Sequence, residues 1–363
     1  MKSVRSFIRN DILAMSAYKI TDVPPGFAKL DAMESPAHPF EGHEALMREW
    51  RAQLASAPIH LYPNPSGCGL QEALRSAFDI PDCAAVALGN GSDELIQFIT
   101  MLTAKPGAAM LAAEPGFIMY RHNAALYGMD YVGVPLNGDF TLNLPAVLEA
   151  VRKHRPALTF IAYPNNPTGV CFTRAEIEAA IEAAIEASDG IVVVDEAYGA
   201  FNGDSFLPQA GRIPNLIVLR TLSKIGFAGL RIGYATGCPE VIGELQKILP
   251  PYNMNQLSLT TAKLALQHYG IISANIDSLK NERERMFAEL GKICRLNAFP
   301  SQANFITIRV PDADLLFDTL KQNRILVKKL HGAHPLLEHC LRITIGSSAQ
   351  NDAVLDVIRR LYR

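Results

Sequence analysis

Lys224 is the residue whose surroundings most directly suggest covalent chemistry. It stands in Thr221-Leu222-Ser223-Lys224-Ile225-Gly226-Phe227-Ala228-Gly229-Leu230-Arg231, just after an apolar run at 215–220. A primary amine among small and apolar residues can condense with an aldehyde, and Arg231 with the hydroxyls of Thr221 and Ser223 can hold a phosphate. The alternative is a solvated surface lysine. In a second segment, Asp195-Glu196-Ala197-Tyr198 closes the run Ile191-Val192-Val193-Val194. An acid at the end of a buried strand carries a desolvation cost unless it is paired, and a protonated pyridine nitrogen is one such partner. Tyr198 can aim its hydroxyl into the same cleft; the alternative for Asp195 is a cap on the next helix. A third segment, Gly89-Asn90-Gly91-Ser92-Asp93-Glu94, places glycines between a strand and a helix start. Free backbone N–H groups and the helix dipole favour a phosphate there, although a tight turn with Ser92 or Asp93 as N-cap has the same composition. The fourth, Tyr163-Pro164-Asn165-Asn166-Pro167-Thr168-Gly169, follows another apolar run. Its Asn side chains can donate to an oxygen at a strand end, while its composition is also that of a plain loop.

The elements that must position these groups alternate in type. Apolar runs at 84–88, 108–113, 157–162, 190–194, 215–220 and 231–236 read as strands. Helical patterns lie between them, at 94–103 and at 174–187, the latter opened by a capping box of Thr173 and Glu176. Such alternation predicts an α/β fold with a mainly parallel sheet flanked by helices, with ligands beyond the carboxyl ends of the strands. From 257 onward the pattern becomes α+β, with helices expected at 257–268, 271–296, 314–323 and 351–361 and strands at 304–310 and 341–345. The expected division is an N-terminal arm over 1–45 that also joins the small domain, a large domain over 46–255 and a small α+β domain over 256–363. The arm, Pro-rich around Pro24, Pro25, Pro36 and Pro39, reads as extended.

Composition narrows the function classes. A net charge of −2 and a pI near 6.5 give no nucleic-acid footprint. No apolar stretch approaches the ~20 residues of a membrane helix, and Met1 to Asn10 does not read as a signal peptide. The six cysteines, Cys68, Cys83, Cys171, Cys238, Cys294 and Cys340, are scattered and read as buried thiols of a reduced, cytoplasmic protein. His331, His334 and His339 lie close in sequence, but no carboxylate or cysteine completes a metal-ligand set, so no metal is expected.

In order and spacing, the four segments resemble those of the fold-type I aminotransferases, most closely the histidinol-phosphate aminotransferases. The resemblance extends from Lys29-Leu30-Asp31 to Leu341-Arg342-Ile343-Thr344-Ile345-Gly346. It implies pyridoxal 5'-phosphate as cofactor, with Lys224 joined to its aldehyde, Asp195 against the ring nitrogen, and Asn166 and Tyr198 on the phenolic oxygen. It places Phe117 over the ring and Ser92, Asp93, Thr221, Ser223 and Arg231 around the phosphate. Tyr62 would reach the cofactor of a neighbouring subunit, which implies a homodimer. Arg342 would bind the anionic end of the substrate. The implied reaction is ping-pong transfer between glutamate/2-oxoglutarate and the imidazole-acetol phosphate/histidinol phosphate pair, in histidine biosynthesis; an aromatic-amino-acid aminotransferase or a threonine-phosphate decarboxylase of the same fold is the alternative. Four departures stand out. Gly116-Phe117 replaces a commoner Thr-Tyr. The stretch between Lys224 and Arg231 is one residue shorter than in many members. Glu34-Ser35-Pro36 stands for Glu-Asn-Pro, which puts Ser35 at a substrate-binding position. Lys328 stands where many members carry a second substrate-binding arginine, and a lysine lacks the planar fork.

Overall fold

The computed structural model describes residues 4–15, 23–64 and 67–362; residues 1–3 and 16–22 of the expected arm lie outside the described residues. Twelve strands are seen among the described residues: β1 (Ala28–Leu30), β2 (Ala85–Asn90), β3 (Ala109–Glu114), β4 (Asp130–Pro135), β5 (Leu158–Ala162), β6 (Ile191–Asp195), β7 (Leu216–Thr221), β8 (Ile232–Gly237), β9 (Asn297–Ala298), β10 (Phe305–Arg309), β11 (Ile325–Lys329) and β12 (Cys340–Thr344). Seven form one sheet in the order β2-β8-β7-β6-β5-β3-β4. Strands β3 to β7 are mutually parallel, and β8 runs antiparallel to both β7 and β2. The six apolar runs correspond to β2, β3, β5, β6, β7 and β8.

The continuous apolar character of β6 follows from its burial on both faces. Val192, Val193 and Val194 are fully buried, and alternate residues feed two separate cores: Val192 and Val194 pack on one side, Val193 with Ile217 and Phe160 on the other. The helix Arg174–Ser188 shows how the covering layers are specified. Thr173 and Glu176 cap its start reciprocally, Asp189 ends it in a left-handed conformation, and Ile177, Ala180, Ile181 and Ala184 form its buried stripe. Burying the two isoleucines alone contributes roughly 2–3 kcal/mol each.

The second sheet has the order β1-β11-β12-β10-β9. Its first strand comes from the N-terminal segment and pairs parallel with β11. The segment is therefore less extended than its prolines suggest: it also contains the short helical turns Val4–Phe7 and Asn10–Ala14. In the antiparallel pair β11–β12, Lys328 lies directly opposite Arg342.

The cysteines depart from expectation. Cys340 is buried, but Cys83 and Cys294 are exposed and the other three are intermediate. Cys83 lies beyond the helix Leu70–Phe78, just before β2, and Cys294 lies beyond the helix Tyr269–Leu290, so both sit in connections rather than in packed elements.

Candidate active site

A pocket of about 330 Å³ opens at the carboxyl ends of β3, β5, β6 and β7. In the sheet, β4 lies on one side of β3 while β5, β6 and β7 lie on the other, so the chain reverses its winding direction beside β3. Such a reversal leaves a crevice between the diverging connections.

One end of the pocket is an anion cradle. Gly91, at φ 82°, leads from β2 into the helix Ser92–Thr103, whose first turn has no side-chain cap. Its leading N–H groups and dipole therefore face outward. The N-cap expected of Ser92 or Asp93 is absent because Gly91 occupies that position. A Cβ on Gly91 would lie 2.5 Å from Arg231 Nη2, so the guanidinium reaches the cradle only because position 91 has no side chain. Likewise a Cβ on Gly233 would collide with the Ser92 amide nitrogen. Arg231 takes a left-handed φ of 53° after two short helical turns, Ser223–Ile225 and Ala228–Leu230, and its Nη2 lies 3.6 Å from Asp93 Oδ2. The shortened stretch from Lys224 thus still brings Arg231 to the cradle at Gly91 and Asp93. The Thr221 hydroxyl donates to the Ile232 carbonyl at 3.0 Å and accepts from the Ser223 amide at 3.1 Å, and the two hydroxyl oxygens are 2.9 Å apart.

Asp195 forms the floor. It ends β6 and is buried; its Oδ1 accepts the Ala197 N–H at 3.0 Å and its Oδ2 accepts the Tyr120 hydroxyl at 2.7 Å. Burial pushes its carboxyl up to about 6, against the pull of Tyr120 and the Ala197 amide. Lys224 faces this floor from the turn after β7. Its amine donates to the Ala32 carbonyl at 3.5 Å and lies 5.8 Å from the Tyr198 ring centroid. Desolvation first, and then the positive charges of Arg342 and Arg231, bring the amine down to about 8 against the opposing pull of Asp93 and Glu34. Tyr198 is buried with its ring edge-on to Phe305 at 5.2 Å, and burial raises its phenol. Phe117 and Asn166 complete the wall.

Arg342 stands behind Asn166 rather than in the wall. Its Nη1 donates to Asn166 Oδ1 at 2.6 Å and its Nη2 to the Asp31 carbonyl at 3.0 Å. Lys328 is its cross-strand neighbour, so two cations sit on the same face of the small sheet. Ten of the residues singled out from sequence line the pocket, Arg342 reaches it through Asn166 with Lys328 at its side, and two, Ser35 and Tyr62, are elsewhere. Ser35 turns its hydroxyl to the Ala37 carbonyl at 3.2 Å. Tyr62 is 81% exposed and stacks on Tyr252 at 4.7 Å, outside the pocket of its own chain.

Two wall residues had no role in the sequence reading. Tyr120 follows Phe117 by three residues on the start of the helix Ile118–Tyr127, a helix that the apolar pattern did not reveal. Glu34 lies in the wall and pairs with Lys29 at 2.5 Å, where the motif drew attention only to its neighbour Ser35. The histidines near the C-terminus act locally: His334 Nδ1 accepts the Leu336 N–H at 3.1 Å, and the His331 and His339 rings stack at 5.1 Å.

A phosphate cradle, a buried acid and a desolvated lysine around one crevice of a mainly parallel sheet define a class of site shared by many group-transfer enzymes. The profile of the family described as aminotransferase class I and II matches residues 38–358, and this chain belongs to that family. It is 99% identical over 363 residues to a histidinol-phosphate aminotransferase of Neisseria gonorrhoeae (strain NCCP11945), with all of both chains covered. It is 91% identical to a histidinol-phosphate aminotransferase of Neisseria meningitidis serogroup C / serotype 2a, covering all of this chain and 98% of the relative. Among solved structures, the histidinol-phosphate aminotransferase of Sinorhizobium meliloti in complex with pyridoxal-5'-phosphate superposes with a TM-score of 0.81 at 26% identity, over 92% of this chain and 91% of that one.

Proposed function

We infer that this chain is a pyridoxal-phosphate-dependent aminotransferase that exchanges an amino group between histidinol phosphate and 2-oxoglutarate in histidine biosynthesis. The observation that carries the reading is near-identity, over every residue, to relatives bearing that activity in their names. The described pocket suits the cofactor on its own terms. A phosphate monoester fits the uncapped helix start beside Arg231, and the buried carboxylate of Asp195 fits a cationic ring nitrogen. Ser92, Asp93 through its backbone, Thr221, Ser223 and Arg231 would hold the phosphate, and Phe117 would cover the ring. Asn166 has its side-chain oxygen engaged by Arg342, which leaves its amide NH₂ as the donor for the phenolic oxygen, beside the Tyr198 hydroxyl.

Bound there, pyridoxal phosphate supplies an aldehyde that joins amines and a ring that accepts electrons from the substrate's α-carbon. The chain's own residues do the rest. Lys224, brought down to about 8 chiefly by desolvation, is a minority free amine at neutral pH and mostly free above about 8, far below the range of an ordinary lysine, and can take a proton from the α-carbon and return one. Asp195 stabilises positive charge at the floor. Arg342 and Lys328, directly opposed on neighbouring strands, add positive charge behind Asn166 at the edge of the pocket, which suits a substrate phosphate or carboxylate. Ser35 follows the wall residue Glu34 but engages its own turn.

The same reading assigns the large sheet to a domain over 46–255, and the small sheet to residues 256–363 together with the N-terminal segment 1–45. It also calls for a homodimer in the cytoplasm. Ile59, Leu61 and Tyr62 are exposed at 73%, 60% and 81%, an apolar stretch suited to a second copy whose cofactor Tyr62 would reach. No described helix is long and apolar enough to cross a membrane.

A half-reaction panel tests the substrate. The cofactor-loaded protein is mixed separately with histidinol phosphate, glutamate, phenylalanine and threonine phosphate, and its visible absorption is followed. Histidinol phosphate and glutamate should each discharge the band and yield the corresponding keto product. Discharge by phenylalanine alone, or carbon dioxide release from threonine phosphate, would overturn the assignment.

A further inference from the structure

The floor of the pocket contains a hydroxyl that the roles above leave unused. Tyr120 is 1% exposed, its ring stacks on Phe160 with centroids 4.3 Å apart, and it meets the edge of Phe117 at 5.6 Å. These contacts fix the axis of the phenol, whose hydroxyl donates to Asp195 Oδ2 at 2.7 Å. The other carboxylate oxygen is held by the Ala197 N–H at 3.0 Å. Asp195 is thus clamped between its own strand end and a helix that follows β3. A carboxylate has about four acceptor sites, so the clamp leaves lone pairs for a ligand in the pocket. Filling this space would require only phenylalanine; a buried hydroxyl is tolerated where it has a partner.

We propose that Tyr120 is a positioning residue for the transamination site: its hydroxyl orients the Asp195 carboxylate and keeps it anionic, so that the cationic ring nitrogen of the cofactor meets a charge rather than a neutral acid. The proposal rests on the pyridoxal-phosphate reading of the pocket. Its electrostatic logic comes from the groups around Asp195. Burial drives the carboxyl toward its neutral form, and Tyr120 is the leading group that opposes this, followed by the Ala197 amide. Asp93, from the helix Ser92–Thr103, and Glu196, beside Asp195 on the same strand end, favour the neutral form. Tyr198 and the Lys224 amine share the pocket wall, and Tyr131 on β4 lies beyond Tyr120. Losing the Tyr120 hydroxyl moves the balance toward the neutral acid at neutral pH.

The test titrates apoprotein with pyridoxal phosphate across a pH series, reading affinity from visible absorption. Tyr120→Phe keeps the stacked ring and loses the donor. Its dissociation constant at neutral pH should rise roughly tenfold, the usual scale for a hydrogen bond to a charged group. The acid-side loss of affinity should also move to higher pH. In an Asp195→Asn background the same substitution should change affinity less than about twofold, because its effect passes through the carboxylate. A second variant carrying 3-fluorotyrosine at position 120 retains a hydroxyl that is a stronger donor, and should move the acid limb to lower pH. Failure of the parent protein to bind pyridoxal phosphate would overturn the cofactor reading itself. A parent that binds, with the limb unmoved in both variants or with Tyr120→Phe equally damaging in the two backgrounds, would overturn the proposal alone.

Discussion

Replacing Asp195 by Asn should stabilise the cofactor-free protein at neutral pH while destroying its use of the cofactor. The carboxyl is buried and rises from an ordinary 3.8 to about 6. At about 1.4 kcal/mol per pH unit, keeping it ionised above pH 6 costs roughly 3 kcal/mol. The sign follows from linkage. A carboxyl whose folded value is raised adds stability that is complete below pH 3.8 and is lost as pH climbs through about 6. Asparagine removes that loss but has one acceptor oxygen, whereas Tyr120 and Ala197 both donate to Asp195. One unmade hydrogen bond costs about 1 kcal/mol. The net gain at pH 7.5 is then about 2 kcal/mol, or about 3 °C in melting temperature for a chain of this length. Near pH 4 the gain disappears and the lost hydrogen bond makes the variant slightly the less stable. Thermal melting of apoprotein from pH 4 to 8 measures this directly, and saturating pyridoxal phosphate should reverse the order at pH 7.5 because asparagine offers the ring cation no charge. An apoprotein variant no more stable than the parent at pH 7.5, or a difference that does not vary with pH, would refute the reasoning.

Three other substitutions or conditions probe different parts of the site. Arg342→Ala should raise KM for both anionic substrates more than tenfold, about 1.4 kcal/mol or more, with a smaller effect on kcat; steady-state kinetics with each substrate decides it. Arg231→Ala should narrow the preference for pyridoxal phosphate over pyridoxal by at least about tenfold, since the guanidinium lies against the helix start at Gly91; competitive titration of apoprotein reads the ratio. The rate at which apoprotein captures pyridoxal phosphate should rise with pH and level off above about 8, where the Lys224 amine is free, rather than continue to climb toward the range of an ordinary lysine; stopped-flow absorption across that interval follows it.

The central parts of this architecture were legible because they obey local rules. The valines of β6 announced a strand buried on both faces, and Thr173 with Glu176 marked a helix start that the structure reproduces as a reciprocal cap. The strands less visible in the pattern were short, or partly exposed along much of their length. Strand β4 has a largely intermediate burial pattern, and β1 and β9 have only three and two residues. Strand β11 escaped because its apolar part is a brief Ile325-Leu326-Val327 before two lysines. At the site, residues following apolar runs could be found from order alone. Tyr120 could not, because its importance comes from a contact with Asp195 across 75 positions of chain. Conversely, Arg342 is conspicuous through resemblance, while its hold on Asn166 comes from the two sheets meeting and its hold on the backbone of Asp31 from the N-terminal strand joining the small sheet.

The amine of Lys224, desolvated beside the cradle and the buried acid, is the group expected to carry the cofactor. Reduction of the pyridoxal-phosphate-loaded protein with borohydride, followed by proteolysis and mass spectrometry, tests that claim most directly. A phosphopyridoxyl group is expected on the peptide containing Lys224, and its loss in Lys224→Ala. A label on another lysine, such as Lys29, the partner of the wall residue Glu34, or an unmodified Lys224 peptide in a protein that holds the cofactor, would contradict it.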